Sequence, residues 1–218
     1  MSNRKRFISV EGGEGAGKTT LIEGLSKLLR EKGIRVVTTR EPGGIPIAEQ
    51  IRKVILDPAN TLMEARTEAL LYAAARRQHL VQKVIPALEE GAVVICDRFV
   101  DSSLAYQGYA RGLGIEQVWA VNRFAVEGAM PMLTLWLDLE PEAGLRRIHS
   151  ANEREINRLD LEELTFHQRV REGYQMVYER DTQRIIRLDA EKPQKALINE
   201  AFQIIEAKFG GLSAVDVK

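Results

Sequence analysis

Eight residues near the N-terminus constrain this chain more than any others: Gly12-Gly13-Glu14-Gly15-Ala16-Gly17-Lys18-Thr19. They fit G-x-x-x-x-G-K-[ST], a loop whose backbone N–H groups wrap phosphate oxygens. The run before them, Arg6-Phe7-Ile8-Ser9-Val10-Glu11, reads as a short buried strand. The run after them, 19–30, places Leu21, Ile22, Leu25, Leu28 and Leu29 at helical spacing. Strand, glycine-rich turn and helix in that order aim N–H groups and a helix N-terminus at an anion. The motif therefore predicts a triphosphate site built from Gly12, Gly13, Glu14, Gly15, Ala16, Gly17, Lys18, Thr19 and Thr20. The glycines let backbone approach phosphate, Lys18 brings a point charge to the β- and γ-phosphates, and Thr19 offers a hydroxyl to Mg²⁺.

Strand and helix patterns alternate along the rest of the chain. Strands are predicted at 34–39, 92–97, 133–138 and 184–188. Helical spacing covers 47–55, a long stretch 63–90 bent before Pro86, then 116–127, 141–148, 161–180 and 195–209. The segment 102–111 reads as a short polar helix or loop, and 150–160 as a charged insert. Such alternation implies an α/β fold: a parallel five-stranded sheet with helices on both faces and a short lid insert. A single domain over 1–209 with a flexible tail at 210–218 is expected.

Charge adds an exclusion. Lys plus Arg and Asp plus Glu both number 31, so no net field draws the chain to nucleic acid or to a membrane surface. The basic start, Arg4-Lys5-Arg6, runs straight into a strand without the apolar stretch of a signal peptide, and no apolar run is long enough to cross a bilayer. A lone cysteine, Cys96, sits in a strand pattern and reads as an inert core thiol. His79, His149 and His167 are scattered, without metal-ligand spacing. A reducing cytoplasm is the expected compartment.

In a sheet of this kind the ligand sits outside the carboxyl ends of the strands, which directs attention to Glu11, Asp97 and Asp138. Asp138 precedes a helix start and reads as structural. Asp97 is the better Mg²⁺-side acid. If the first and third strands are neighbours, Glu11 and Asp97 stand side by side over the metal, with Thr19 as its third ligand. Arginines outside the loop mark an acceptor side: Arg98 at a strand end, Arg52 after the Glu41-Pro42-Gly43-Gly44 turn, Arg154 and Arg158 in the insert. Tyr72 and Arg76, four apart on a helix, share a face that can stack on a base and bond its edge. No N-K-x-D base-reading pattern of a GTPase occurs.

Several runs together resemble bacterial thymidylate kinase: 7–20, Arg40-Glu41-Pro42-Gly43-Gly44, the run 67–76, Asp97-Arg98-Phe99, Ser102-Ser103-Leu104-Ala105-Tyr106-Gln107-Gly108 and Asn157-Arg158-Leu159-Asp160. The resemblance spans nearly the whole chain. It implies a P-loop kinase fold and the reaction ATP + dTMP → ADP + dTDP with Mg²⁺, in a homodimer. It implies that Arg98 binds the acceptor phosphate, with Asp97 beside that arginine and the metal. Tyr72 would stack on thymine, Arg76 and Gln107 read its edge, and Tyr106 press where a ribose 2′-OH would stand. Glu41, Pro42, Arg52 and Ser103 would frame the rest of the acceptor. The loop has no basic residue besides Lys18, so the chain resembles the group whose catalytic arginine lies in the lid, here Arg154. Arg147 would flank adenine.

The acceptor phosphate is mostly dianionic at neutral pH and needs no general base. The task is to bring two anions together, which Lys18, Arg98, Arg154 and Mg²⁺ address with positive charge. Two alternatives stay open on the residues alone. One is a kinase for another nucleotide or for a deoxynucleoside, with Glu11 as base. The other is a non-enzymatic nucleotide-dependent switch.

Overall fold

The computed structural model describes residues 6–150 and 158–210. Five strands form one sheet: β1 (Phe7–Gly12), β2 (Val36–Arg40), β3 (Val93–Asp97), β4 (Leu133–Asp138) and β5 (Ile185–Asp189). Their order is β2-β3-β1-β4-β5, and every pairing is parallel. Burial on both faces suits the near-continuous apolar runs of β1, β3 and β4.

Alternate residues of the strands feed two cores. On one face Ile8, Val10, Ile95, Leu135 and Leu137 pack with Leu21, Leu25 and Leu29 of α1 (Lys18–Glu31) and with Leu197, Ala201 and Ile205 of α9 (Gln194–Phe209). On the other, Phe7, Val94, Cys96 and Trp136 pack with α4 (Ile85–Glu89), α6 (Ile115–Val126) and α8 (Leu164–Arg180). Helix α3 (Ala65–His79) packs in turn on α6. Two further helices, α2 (Pro46–Leu56) and α7 (Pro141–Ser150), flank the carboxyl ends of the strands.

Two stretches refine the sequence expectation. The helix expected over 63–90 is α3 and α4 joined by a π-turn at Leu80–Val84. Pro86 lacks the N–H that an α-helix would need there, and the widened turn precedes it. The polar stretch 102–111 takes the helical of its two expected forms, and it is buried. It is α5 (Val100–Ser103) followed by a second π-turn, Leu104–Ala110, and Asp101, Ser102, Ser103 and Gln107 within it are all buried. Their polarity serves internal partners rather than water. Asp101, for instance, takes two bonds from Arg184 at 2.7 and 2.9 Å.

Candidate active site

The glycine-rich loop leaves β1 at Gly12 and enters α1 at Lys18, with Gly17 capping the helix in the left-handed region at φ 90°. Gly15 is a variable position of the motif, yet a side chain there is barred. It sits at φ 69°, and a Cβ would lie 2.2 Å from the carbonyl oxygen of Gly144 in α7. The loop thus packs backbone to backbone on α7. A groove runs along it past Glu14, Gly15, Ala16, Gly17, Lys18, Thr19 and Thr20. Lys18 Nζ donates to the carbonyls of Gly12 and Gly13 at 3.1 and 2.8 Å. Burial, with Arg98 nearby, lowers its pKa to about 8. Arg147 also borders the groove, donating to Gly15 O at 3.4 Å and Ala190 O at 3.2 Å. The structure therefore brings loop residues Glu14 to Thr20 together with Arg147, which the resemblance placed on the donor side.

The strand-end acids separate. β1 and β3 are neighbours, but Val10, not Glu11, pairs with Asp97. Glu11 therefore leaves the opposite face of the sheet. Its carboxylate is buried and accepts from Phe99 N at 2.6 Å, Ser102 Oγ at 2.5 Å and Tyr174 OH at 3.1 Å. Burial and the charge of Asp101 raise its pKa to about 7. The expectation that Glu11 shares a metal with Asp97 is thus corrected: both its oxygens are committed to protein donors. Its use as a base for a nucleoside hydroxyl falls for the same reason. Asp97 lines the donor groove, and its Oδ1 is buried without a hydrogen-bond partner. Asp138 is structural, held by Arg171 at 2.7 and 3.2 Å and by Arg187.

Beyond the loop lies a second cavity. Helix α3 supplies one wall, because Glu68, Tyr72 and Arg76 recur every four residues and so share a face. Tyr72 and Arg76 line the cavity together with Pro42, Arg52, Ser103, Tyr106 and Gln107. Burial raises the pKa of the Tyr72 phenol, so it stays neutral. Arg52 Nη1 donates to Pro42 O at 2.8 Å, across a cis Glu41-Pro42 bond.

Arg76 is buried, and each of its guanidinium nitrogens is engaged. Nε donates to Glu41 at 2.7 Å, Nη1 to Ser103 and Asn122, and Nη2 to Phe99 O at 3.0 Å and Ser103 Oγ at 3.2 Å. It shapes the wall rather than offering a spare donor, and a base-edge bond from it would replace one of these. Glu41 in turn bridges Arg76 and His79, accepting from His79 Nδ1 at 2.9 Å. Gln107 donates from Nε2 to Glu68 at 2.8 Å, and its amide oxygen makes no hydrogen bond among the described residues.

Arg98 stands where the groove and the cavity meet, and both are lined by Glu14, Glu41, Arg52 and Arg98. Its backbone adopts φ 68°, rare for a residue with a side chain and a frequent mark of functional positions. The guanidinium lies over the Tyr106 ring at 5.1 Å and donates to Gly12 O at 3.0 Å, Tyr174 OH at 3.2 Å and Glu14 at 2.6 Å. Tyr106 OH reaches the same Glu14 oxygen at 3.2 Å.

Arg154 lies outside the described residues. Arg158, expected in the charged insert on the acceptor side, is buried: it pairs with Glu68 and donates from Nε to Ile55 O at 2.9 Å. Sequence reasoning gave no role to Glu68, Asn122 or Tyr174. Glu68 had a usable signal, four residues before Tyr72 on the same helix face. Asn122 and Tyr174 had none, since they reach the site only through tertiary packing of α6 and α8.

The family model described as thymidylate kinase matches residues 10–201. The chain is 60% identical over 202 residues to the thymidylate kinase of Bacillus mycoides, covering 93% of this chain and 97% of that protein. It is 58% identical over 202 residues to that of Halalkalibacterium halodurans, covering 93% and 96%. A crystal structure of thymidylate kinase from Ehrlichia chaffeensis superposes with a TM-score of 0.74 at 26% identity, covering 93% of this chain and 98% of that one.

Proposed function

This chain belongs to the thymidylate kinase family, and from that premise we propose that its groove and cavity hold ATP and dTMP end to end, meeting at Arg98. The enzyme transfers the terminal phosphoryl group of ATP to dTMP, giving ADP and dTDP. The observation that carries the site assignment is the shared boundary: a phosphate-binding loop and a base-sized cavity open onto one arginine.

In this reading the loop N–H groups and Lys18 hold the donor phosphates, and Arg147 flanks adenine. Arg98 receives the acceptor phosphate, exchanging its Glu14 partner for a second anion. Tyr72 stacks on thymine, Gln107 meets its N3–H, and Tyr106 fills the space beside the sugar. Glu41 holds Arg76 and His79 in place, and Arg52, bonded to Pro42 O, lines the acceptor cavity. No residue removes a proton, because the attacking phosphate is already ionised. Arg154 as the lid arginine rests on the resemblance of the sequence alone.

The residues fit Mg²⁺. The buried, unpartnered Oδ1 of Asp97 and the Thr19 hydroxyl border the same groove, and both are hard oxygen donors. When bound there, the ion would neutralise charge on the phosphates.

A homodimer is supported by exposed apolar side chains on α3 and the two helices packed on it: Ile47 and Val54 on α2, Leu70 on α3 and Phe124 on α6. A cytoplasmic setting follows from ATP as donor. Among the described residues no helix is long and apolar enough to cross a membrane.

A panel assay tests the function. ADP release is measured with ATP, Mg²⁺ and each of dTMP, dUMP, dCMP, dGMP, AMP and thymidine. Release that depends on dTMP above all others is the expected result. Release indifferent to the acceptor would overturn it.

A further inference from the structure

We propose that Glu68 is the positioning residue that fixes which end of the Gln107 amide faces the base, and so makes the site select a pyrimidine bearing an N3–H. The proposal rests on the reading of the cavity as the nucleobase site. An amide can present either a donor or an acceptor, and turning it over reverses the base it prefers. Here the choice is made by the protein. Glu68 is 1% exposed, and its Oε1 accepts from Gln107 Nε2 at 2.8 Å. A carboxylate only accepts, so the amino end of Gln107 must face it. Two cations pair with the Glu68 carboxylate: Arg111, at 3.4 and 3.5 Å, and Arg158, which is itself fixed to Ile55 O. The amide oxygen of Gln107, a cavity-lining residue, is then the group left over.

That oxygen accepts from the N3–H of thymine or uracil. Cytosine places a lone pair at N3 and would meet it acceptor to acceptor. A site built to bond a substrate N–H rejects an analogue lacking it far more strongly than an apolar pocket rejects a missing methyl. Glu68 never touches the base in this scheme. It acts through Gln107.

The test is a double-mutant cycle on the full-length enzyme, with kcat and KM measured for dTMP and dCMP. Glu68→Gln can offer Gln107 either an oxygen or an amino group, so the amide is free to turn. Expected is a fall of at least about tenfold in the dTMP:dCMP ratio of kcat/KM, driven by KM for the acceptor, with KM for ATP unchanged. Gln107→Leu should lower the ratio as well, and adding Glu68→Gln to it should change the ratio no further. A wild-type ratio in Glu68→Gln, with Gln107→Leu reduced, would overturn the role of Glu68 alone. A wild-type ratio in Gln107→Leu would overturn both it and the placement of the base. Should Glu68→Gln not fold, the wild-type enzyme with N3-methyl-dTMP keeps the question open to refutation. Binding at least about tenfold weaker than dTMP is expected, and equal binding would refute the amide orientation.

Discussion

Arg98 Nη2 lies 2.6 Å from Oε1 of Glu14, so the cation at the junction of groove and cavity is already held by an acid of the phosphate loop. The pair is largely buried, with side chains 17% and 11% exposed. An incoming acceptor phosphate therefore competes with a carboxylate, and planar two-point donation gives the guanidinium its advantage over an ammonium.

Arg98→Lys should lower kcat/KM for dTMP by about tenfold or more, while ATP affinity changes little. Steady-state kinetics with either substrate varied reads this directly. A loss confined to ATP binding would move Arg98 to the donor side.

Glu11 and Asp97 end adjacent strands but work on opposite faces of the sheet, so their substitutions should separate. Asp97→Asn should shift the Mg²⁺ dependence of activity to higher concentration. Glu11→Gln should leave that dependence in place and change stability instead. Folded Glu11 keeps its proton up to about pH 7, against 4.5 for the ordinary carboxyl. The folded state thus binds more protons than the unfolded one between these values. Its burial costs nothing below about pH 4.5, and stability falls as pH rises towards 7, by an amount on the order of 3 kcal/mol. Thermal melts across pH 4.5–7.5 should show this decline in the wild type and a flatter profile in Glu11→Gln.

Local pattern made most of this architecture legible. Every strand of the sheet was visible as an apolar run, and the donor groove followed from one motif. What stayed hidden depends on which face a side chain leaves by. Glu11 misled because strand adjacency was inferred without register, and a shift of one residue sends a side chain to the other side. Asp101, Ser102 and Ser103 were legible as a polar stretch, but not their burial, nor that they serve Arg184, Arg98 and Arg76. The burial of Arg158 was equally hidden: a charge in a charged run is locked inside on Glu68. No local pattern could report that partner, 90 residues away in the chain.

The lowered pKa of Lys18 gives a signature in the pH profile. Its value of about 8 lies below the usual 10.5, so the free enzyme loses this charge first as pH rises. Plots of kcat/KM for ATP report the free enzyme and should fall above about pH 8. Bound triphosphate favours the ammonium, so kcat at saturating ATP should hold to higher pH. Identical descending limbs in the two plots would contradict this.

Phe124 is 90% exposed on α6, beside α3 with its exposed Leu70. Phe124→Asp should convert a dimer to a monomer in sedimentation velocity while circular dichroism stays unchanged. An unchanged dimer would exclude this face.

Tyr106 combines two tasks that separate chemically. Its ring lies under Arg98 and packs edge-on to Phe166 and Tyr174, with centroids 6.2 Å away in both cases. Its hydroxyl reaches Glu14 at 3.2 Å. If the ring excludes the 2′-OH of a ribonucleotide, Tyr106→Phe keeps that exclusion and loses only the Glu14 bond. Tyr106→Ala removes the ring and loosens Arg98 as well. The expected outcome is a preserved dTMP over ribothymidine monophosphate preference in Tyr106→Phe. In Tyr106→Ala that preference should collapse and kcat fall by about tenfold or more, since a misplaced cation stabilises the transferred charge less well. Equal discrimination in both variants would assign the sugar choice to another wall of the cavity, while an equal fall in kcat would trace Arg98's placement to the hydroxyl rather than the ring.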